Sequence, residues 1–364
     1  MRFFFLLTSS IMMSYFSIAQ KTKINVIAYY AGSPTMIDSF PIEKVTHLIF
    51  SFGHLRGDTM FINNARDSST IIKMVGFKKN NPTLKVMLSM GGWSACPDCS
   101  ATFSDSAKRI LFAKSVKKIT DYFKTDGIDI DWEYPAVHGF PGHQFLPSDK
   151  QNFTKLMFEL RKELGPKAEI SFAAGGLKNH FDSCFEWKKV MQYCNRVNLM
   201  SYDLVSGYDT KSGHHTPLYS TQEQYASVDY GVQYLEKLGV PANKIAIGAA
   251  FYGRIFANSV DGNKGLYQPT HFFRGVSYRY FDSTFNTQNG YVKYWDNIAK
   301  APYAYNAKEK LLATYDDSTS MHLKTKYAVD KKLNGIMFWQ LGDDAFFKNG
   351  LLDVIDETKK KSYK

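Results

Sequence analysis

Three carboxylic acids alternate with apolar residues near the middle of the chain, at Asp129, Asp131 and Glu133. If this segment is a β-strand, the three acids project on one face, because successive side chains of a strand point to opposite sides. Carboxylates about 5–7 Å apart and away from water repel one another, so one or more of them must keep or share a proton near neutral pH. The pattern is typical of a proton-transfer site, with the outermost acid, Glu133, best placed to protonate a leaving group.

A metal-binding role or a purely structural role accounts less well for this acidic run. A divalent metal ion needs about six oxygen ligands, and no histidine accompanies the acids at a strand end, so we expect neither a metal site nor a cofactor. A structural role is common for one buried aspartate but does not explain three acids in alternation. Trp132 points away from the acids and is predicted to lie in the core, and Asp126, where the strand begins, is predicted to be structural.

Eight β-branched runs alternate with amphipathic segments, which indicates a parallel sheet with crossover helices. The runs are Ile24 to Ala28, His47 to Phe52, Lys85 to Ser89, Gly127 to Asp131, Glu169 to Ala173, Arg196 to Met200, Ile245 to Ala249 and Gly335 to Trp339. The amphipathic segments include Ser106 to Lys124 and Lys150 to Leu164. Eight strand–helix units predict an α/β fold, a (β/α)8 TIM barrel, whose active sites lie at the C-terminal ends of the strands.

The interval from Phe251 to Gly335 is about twice as long as an ordinary repeat and is rich in aromatic residues. We predict a small α+β insertion at residues 255–311, with one helical start near Tyr291. The barrel then comprises residues 20–254 and 312–358. Residues 359–364, which include three consecutive lysines, are expected to form a solvated basic tail.

Residues 1–19 are typical of a secretory signal peptide. Arg2 precedes an apolar stretch, and Ser17-Ile18-Ala19 forms a cleavage signal. The stretch is broken by hydroxyls and shorter than the roughly 20 apolar residues of a spanning helix, so we expect no membrane association. The prediction is a secreted chain, extracellular or periplasmic, cleaved near Ala19.

Four cysteines in an oxidising compartment favour disulfides. Cys96–Cys99 and Cys184–Cys194 are the local pairs, although three connectivities are possible. Free thiols are the next alternative, and a zinc site is the least favoured, because the second pair is too widely spaced and no histidine lies at ligand spacing nearby.

Composition places the chain among globular proteins. It has 44% apolar, 15% aromatic and 22% charged residues, which excludes disorder, collagen and coiled coil. The net charge of +11 is scattered along the sequence rather than massed, so we expect no nucleic-acid partner. We expect a monomer.

With Asp126, Asp129, Asp131 and Glu133 in place, the acidic run resembles the DxxDxDxE signature of glycoside hydrolase family 18, the chitinases and their relatives. Further elements follow in the family's order: Ser89 to Trp93 (SxGG), Met200 to Asp203 (MxYD), Gly213 to Tyr219, Tyr252 to Arg254, Tyr315 to Asp317 and Gly335 to Trp339. The resemblance extends from about Ile24 to Leu352. It departs at Asn195, where many members have Asp, and at Ser51, where Ala is usual.

The resemblance implies catalytic roles for four residues in hydrolysis with retention, in which the substrate's own acetamido group is the nucleophile. Glu133 is the implied acid and base. Asp131 orients the acetamido N–H, Asp129 shares a proton with Asp131, and Tyr202 donates to the acetamido oxygen.

Substrate-binding residues are expected around the same mouth, because sugar faces stack on aromatic rings. Asp203 is implied to bind near the scissile sugar, and Trp339 is the candidate floor. The other expected lining residues lie at or near strand ends: Tyr29, Phe52, Trp93, Met200, Tyr252, Arg254 and Met337. His214 and His215 are expected to be loop residues rather than catalysts.

The implied substrate is chitin or an oligosaccharide of β-1,4-linked N-acetylglucosamine. The insertion favours this substrate, since one subfamily carries such a module and uses it to deepen the cleft. An endo-β-N-acetylglucosaminidase acting on N-glycans and a non-catalytic chitin-binding lectin remain as alternatives.

Overall fold

The computed structural model describes residues 23–364, so the predicted signal peptide lies outside the described residues. The strands along the chain are β1 (Asn25–Tyr30), β2 (His47–Arg56), β3 (Thr59–Phe61), β4 (Lys85–Gly91), β5 (Gly127–Asp131), β6 (Glu169–Gly175), β7 (Arg196–Met200), β8 (Ile245–Ala250), β9 (Tyr252–Asn258), β10 (Thr270–Ser277), β11 (Val292–Asp296), β12 (Ala301–Asn306), β13 (Leu311–Thr314) and β14 (Gly335–Trp339).

Eight of these strands form a closed parallel barrel. They pair in the order β1, β14, β8, β7, β6, β5, β4, β2, and pairing of β1 with β2 closes the ring. Strand β3 adds an antiparallel hairpin to β2. The predicted (β/α)8 fold is confirmed, and seven barrel strands begin at the predicted residue, while β1 begins at Asn25 rather than Ile24.

The helices are α1 (Ala65–Gly76), α2 (Cys99–Ser104), α3 (Ser106–Phe123), α4 (Asp149–Leu164), α5 (Lys178–Ser183), α6 (Trp187–Val190), α7 (Val228–Lys237), α8 (Phe281–Thr284), α9 (Ser318–Asp330) and α10 (Leu351–Ser362). They surround the barrel, except α8, which belongs to the insertion. The two amphipathic segments named from the sequence correspond to α3 and α4. Asp105 starts α3 by accepting hydrogen bonds from the backbone N–H groups of Ala107 and Lys108, which otherwise lack partners.

Alternation along the strands separates two apolar layers. Outward side chains such as Ile128, Ile130 and Trp132 belong to the large core between barrel and helices. Trp132 is buried there, as predicted. The inward side chains form a smaller cluster: Ile27, Tyr29, Ile49, Met87, Ala173, Met200, Ala246 and Met337. These side chains fill the barrel interior below the mouth, as is usual for this fold.

The insertion is a five-stranded antiparallel sheet in the order β10, β9, β13, β12, β11. The predicted boundaries, 255 and 311, fall inside its strands β9 and β13. The helical start predicted near Tyr291 is wrong, because β11 begins at Val292 and pairs with β12. Branched and aromatic side chains at alternate positions, Val292 and Tyr294, suit a strand.

The predicted basic tail is also wrong in part, because helix α10 continues to Ser362. Lys360 forms an ion pair of 2.6 Å with Asp356, and Lys361 lies 3.9 Å from Glu357. Pairs four residues apart and positive charge in the last turn both stabilise a helix. These lysines therefore form the last turn of α10 rather than an extended tail.

One of the two predicted disulfides is present. Cys96 is bonded to Cys99, whereas Cys184 and Cys194 are free and buried. The second prediction is wrong because each thiol fills an apolar site in the outer core, with helix α6 between them in sequence. Burial raises the pKa of Cys194 to about 12.

The N-terminal end of the barrel is held by polar contacts far from the mouth. Asp126 accepts hydrogen bonds from Lys78 (2.7 Å) and from the backbone N–H of Val86 (2.8 Å), so its predicted structural role is confirmed. Asn195, one of the departures from the family pattern, accepts from Arg161 at 2.7 Å at this same end. Within residues 23–364, no helix is long and apolar enough to cross a membrane.

Candidate active site

The acidic run crosses from the barrel interior to its mouth. Asp129 and Asp131 are inward residues of β5, 0% and 4% exposed, while Glu133 lies two residues beyond the strand and is half-buried. The three acids therefore occupy successively more exposed positions.

Asp129 is the best satisfied of the three acids. Its Oδ2 accepts hydrogen bonds from the hydroxyls of Tyr29 (2.9 Å) and Ser89 (2.8 Å). Its Oδ1 accepts from the hydroxyl of Ser171 (2.6 Å) and the amide of Asn198 (3.1 Å). Burial raises the pKa of Asp129, and the hydrogen bonds from Ser171, Ser89 and Tyr29 oppose that rise.

Sequence reasoning missed three of these four donors, and strand register is the signal that could have found two of them. Ser89 on β4 and Ser171 on β6 stand directly beside Asp129 in the parallel sheet. Small polar residues on the inward face of strands either side of an acid belong to one layer of the barrel.

Asp131 is buried in a very different setting. Its Oδ1 has no hydrogen-bond partner among the described residues. Burial raises the pKa of Asp131 well above its usual value, and the charges of Glu133 and Asp129 raise it further. The carboxyl group therefore presents an acceptor that is ready for a donor from outside the protein.

Burial also raises the pKa of Glu133, to about 7, and the charge of Asp203 contributes to the rise. A hydrogen bond from Tyr134 opposes it. Tyr134 was not predicted as a site residue, although it follows Glu133 directly. Its ring stacks on His180, with ring centroids 4.1 Å apart, which fixes the hydroxyl beside the acid.

Asp203 follows β7, which is two strands from β5 in the barrel, and forms an ion pair with Arg254. The Arg254 guanidinium donates from Nε to one carboxylate oxygen and from a terminal nitrogen to the other, the second contact being 2.6 Å. Burial raises the pKa of Asp203, but the hydrogen bonds from Arg254 and the His215 ring, whose Nδ1 lies 3.4 Å from Oδ1, outweigh burial and hold that pKa well below its usual value. Asp203 is therefore a permanent negative charge at the mouth.

Aromatic rings form the floor of the mouth. Phe52 stacks on Trp339 with ring centroids 5.4 Å apart and planes 15° apart, and Tyr29 lies 6.1 Å from the same indole. Gly92, with φ of +93°, passes so close to Phe52 that a Cβ would lie 2.6 Å from its ring. Any larger residue at this position of the SxGG element would displace this floor.

Trp93 stands on the rim, 41% exposed. Its ring contacts Tyr134, Phe140 and Tyr208, with centroids 6.4, 6.1 and 5.9 Å away. Tyr208 was not predicted, because it lies in a loop with no strand end to mark it. A cavity of about 270 Å³ lies next to this rim, lined by Gly92, Ser94, Cys96, Pro97, Glu133, Phe140, Pro141, Gly142 and His143.

The remaining predicted lining residues lie at different depths. Met200 and Met337 are buried in the inner cluster, whereas Tyr202 and Tyr252 are half-buried above it. The Tyr202 hydroxyl is 4.0 Å from Met337 Sδ and has a strongly raised pKa, caused by burial and then by the charges of Asp131 and Glu133. Tyr202 therefore remains a hydrogen-bond donor.

Among residues 23–364, no group of three or more His, Cys, Asp or Glu side chains is arranged to hold a metal ion.

Comparison with known proteins places these features in one family. The family model for glycosyl hydrolases family 18 matches residues 12–344. Chitinase A1 of Niallia circulans is 34% identical over 291 residues, which cover 73% of this chain and 42% of that protein. Probable chitinase 2 of Drosophila melanogaster is 32% identical over 343 residues, covering 87% of this chain and 70% of that protein.

Among solved structures, a family 18 N-acetylglucosaminidase from Paenibacillus barengoltzii has a TM-score of 0.83 and 32% identity, covering 93% of this chain and 100% of that one.

Removing one donor to Asp129 tests the buried network. We expect Ser171→Ala to lower the free energy of unfolding by about 1.5–3 kcal/mol at pH 7.5, the usual loss for a hydrogen bond to a charged group. The loss should shrink at pH 5, since Asp129 has a raised pKa and a protonated carboxyl depends less on donors. Urea unfolding at both pH values measures it. Ser104→Ala, at an exposed serine, is the control, and equal losses for the two variants would contradict the network.

Proposed function

The chain belongs to glycosyl hydrolase family 18, and on that basis we propose that it hydrolyses β-1,4-linked N-acetylglucosamine in chitin or chitooligosaccharides, with Glu133 as acid and base. The proposal rests on the family, on chitinases among the relatives, and on one observation in particular. That observation is the buried, unpartnered Oδ1 of Asp131 beside a glutamic acid that keeps its proton near neutral pH.

Glu133 begins the reaction by protonating the glycosidic oxygen. A carboxyl with a pKa of about 7 is well suited to this step, because it holds its proton at neutral pH yet releases it readily. The conjugate base then activates the water that completes hydrolysis. The same group is therefore acid in the first step and base in the second.

Asp131 accepts the N–H of the substrate's acetamido group on Oδ1, the oxygen that lacks a partner within residues 23–364. This orients the acetamido carbonyl to attack its own anomeric carbon, and the accepting oxygen of Asp131 stabilises the positive charge that develops on the cyclic intermediate. Tyr202 donates to the acetamido oxygen from the opposite side. Two displacements at one carbon give net retention of configuration.

Asp129 acts below this site. Its four donors hold it rigidly, so its negative charge is fixed beneath Asp131 and contributes to the raised pKa of that residue. Asp203 and the aromatic floor of Trp339 and Phe52 bind the sugar ring, since pyranose C–H faces stack on aromatic rings. Trp93 extends the apolar surface along the rim.

We also propose that the protein is exported. Residues 1–19 match a signal peptide in sequence, and the Cys96–Cys99 disulfide suits an oxidising compartment.

Product analysis tests the proposed function. Purified protein is mixed separately with chitohexaose and with an N-glycopeptide, and products are identified by mass spectrometry and anomer analysis. Short N-acetylglucosamine oligomers released as β-anomers are the expected result. Release of the monosaccharide alone would match the activity named for the Paenibacillus neighbour. Cleavage of the glycopeptide alone would move the assignment to an endo-β-N-acetylglucosaminidase, and binding without products to a lectin.

Glu133→Gln removes the transferable proton while keeping the side chain's size. We expect hydrolysis of chitohexaose to fall by at least about 10³-fold, because general acid–base catalysis contributes about 10²–10⁴ and here serves two steps. Binding of the oligosaccharide, measured by calorimetry, should persist. Residual activity within tenfold of the unmodified protein would refute the role of Glu133.

The pH profile depends on the raised pKa of Glu133. A raised pKa means that the acid form persists up to about pH 7 and is lost above it, so kcat/KM should fall above about pH 7. Asp203→Asn removes a charge that raises the pKa of Glu133, so its alkaline limb should lie at lower pH. An alkaline limb at the same pH in both proteins would contradict this coupling.

A further inference from the structure

His215 is a buried titratable group that the proposed mechanism does not use. It lies in the loop after β7, its side chain is 0% exposed, and neither ring nitrogen has a well-formed hydrogen bond among the described residues. Its Nδ1 is 3.4 Å from Oδ1 of Asp203. Burying an imidazole without a hydrogen-bond partner costs free energy of folding. The placement of His215 beside a carboxylate at the mouth therefore indicates a functional role.

The backbone holds the ring of His215 in place from two sides. Its N–H donates to the Thr314 hydroxyl (3.0 Å) at the end of β13, and its carbonyl accepts from the N–H of Leu204 (3.0 Å). The ring also lies against Tyr252, with centroids 5.3 Å apart. His215 is thus anchored to both the barrel loop and the insertion.

Burial keeps the His215 ring neutral. Burial lowers the pKa of His215, and the Arg254 charge lowers it further, while Asp203 and Asp316 raise it. Asp316 is itself paired with the buried Lys324 at 2.7 Å, which offsets its influence. A neutral ring can turn one N–H toward Asp203 without cancelling the charge of that carboxylate.

Both hydrogen bonds from Arg254 reach Asp203 from the same side, because they come from one guanidinium. A bidentate guanidinium fixes the plane of a carboxylate but pulls it toward the arginine. His215 faces the same oxygen that receives Arg254 Nε, and its N–H opposes a swing of that oxygen. Contacts of this kind are often long without substrate and shorten when substrate binds.

We propose that His215 is a positioning residue, whose neutral imidazole holds Asp203 in the orientation that binds the scissile sugar. The inference rests on the proposed function, because it concerns the sugar that Asp203 binds there.

Kinetics of chitohexaose hydrolysis test this role with three variants. His215→Phe keeps an aromatic ring but loses the donor, and we expect kcat/KM to fall about tenfold or more, with KM raised, as loss of a hydrogen bond to a charged group predicts. His215→Asn places an amide N–H near the position of Nδ1 and should recover kcat/KM to within about threefold of the unmodified protein.

His214→Phe is the matched control. His214 is also buried, but its Nε2 lies 3.1 Å from Asp296 of the insertion, away from Asp203. We expect its KM to be unchanged. A merely structural role for His215 would reduce the amount of active protein and hence kcat, while leaving KM as it was.

Several results would overturn the inference. These are a KM for His215→Phe within twofold of the unmodified protein, a His215→Asn variant as impaired as the Phe variant, or an equal rise in KM for His214→Phe. If His215→Phe does not fold, as judged by thermal melting, His215→Leu carries the same test. If the unmodified protein hydrolyses no N-acetylglucosamine oligomer, the proposed function itself is refuted. If His215→Phe is active and its KM is unchanged, only the role of His215 is refuted.

Discussion

The burial of a carboxylate, Asp129, inside a parallel barrel is the constraint on which the rest of this site depends. A buried charge is tolerated only if donors replace the water it loses. Here the donors come from four different strands, through Tyr29 on β1, Ser89 on β4, Ser171 on β6 and Asn198 on β7. The same contacts that stabilise the charge therefore tie distant parts of the ring together. A barrel of other register or curvature would not bring these groups to one point, so the site and the fold specify each other.

Three acids in one run then acquire three different chemistries from their depth and from the hydrogen-bond donors around them. Asp129 is saturated with donors and is held in one place. Asp131 is almost as deeply buried but has an oxygen without a partner among the described residues, which makes it the acceptor that a substrate N–H can satisfy. Glu133 is half-buried beyond the strand, so burial and the Asp203 charge raise its pKa to about 7 while the group remains open to the mouth. One alternating pattern thus yields an anchor, an acceptor and an acid.

Local patterns predicted the barrel well because each strand is a run of branched residues bounded by turns, and alternation alone separated Trp132 from the acids. Features set by contacts between distant segments were harder to predict. Whether Cys184 and Cys194 form a disulfide depends on how their separate segments pack, and they remain free thiols. The segment after Tyr291 is a strand because β12 lies beside it. No local sequence pattern marks Tyr134 or His215 as a site residue. Their importance comes from Glu133 and Asp203, which other elements bring next to them.

The insertion contributes more to this site than a wall for a cleft. Arg254 on β9 supplies the countercharge of Asp203, a residue of the barrel loop after β7. Without that guanidinium the carboxylate would be partly buried among uncharged side chains, and its pKa would rise instead of falling. Asp203 in turn contributes to the raised pKa of Glu133. The protonation of the acid therefore depends, through one charge, on a residue that the antiparallel sheet provides, and the two sheets form a single electrostatic unit.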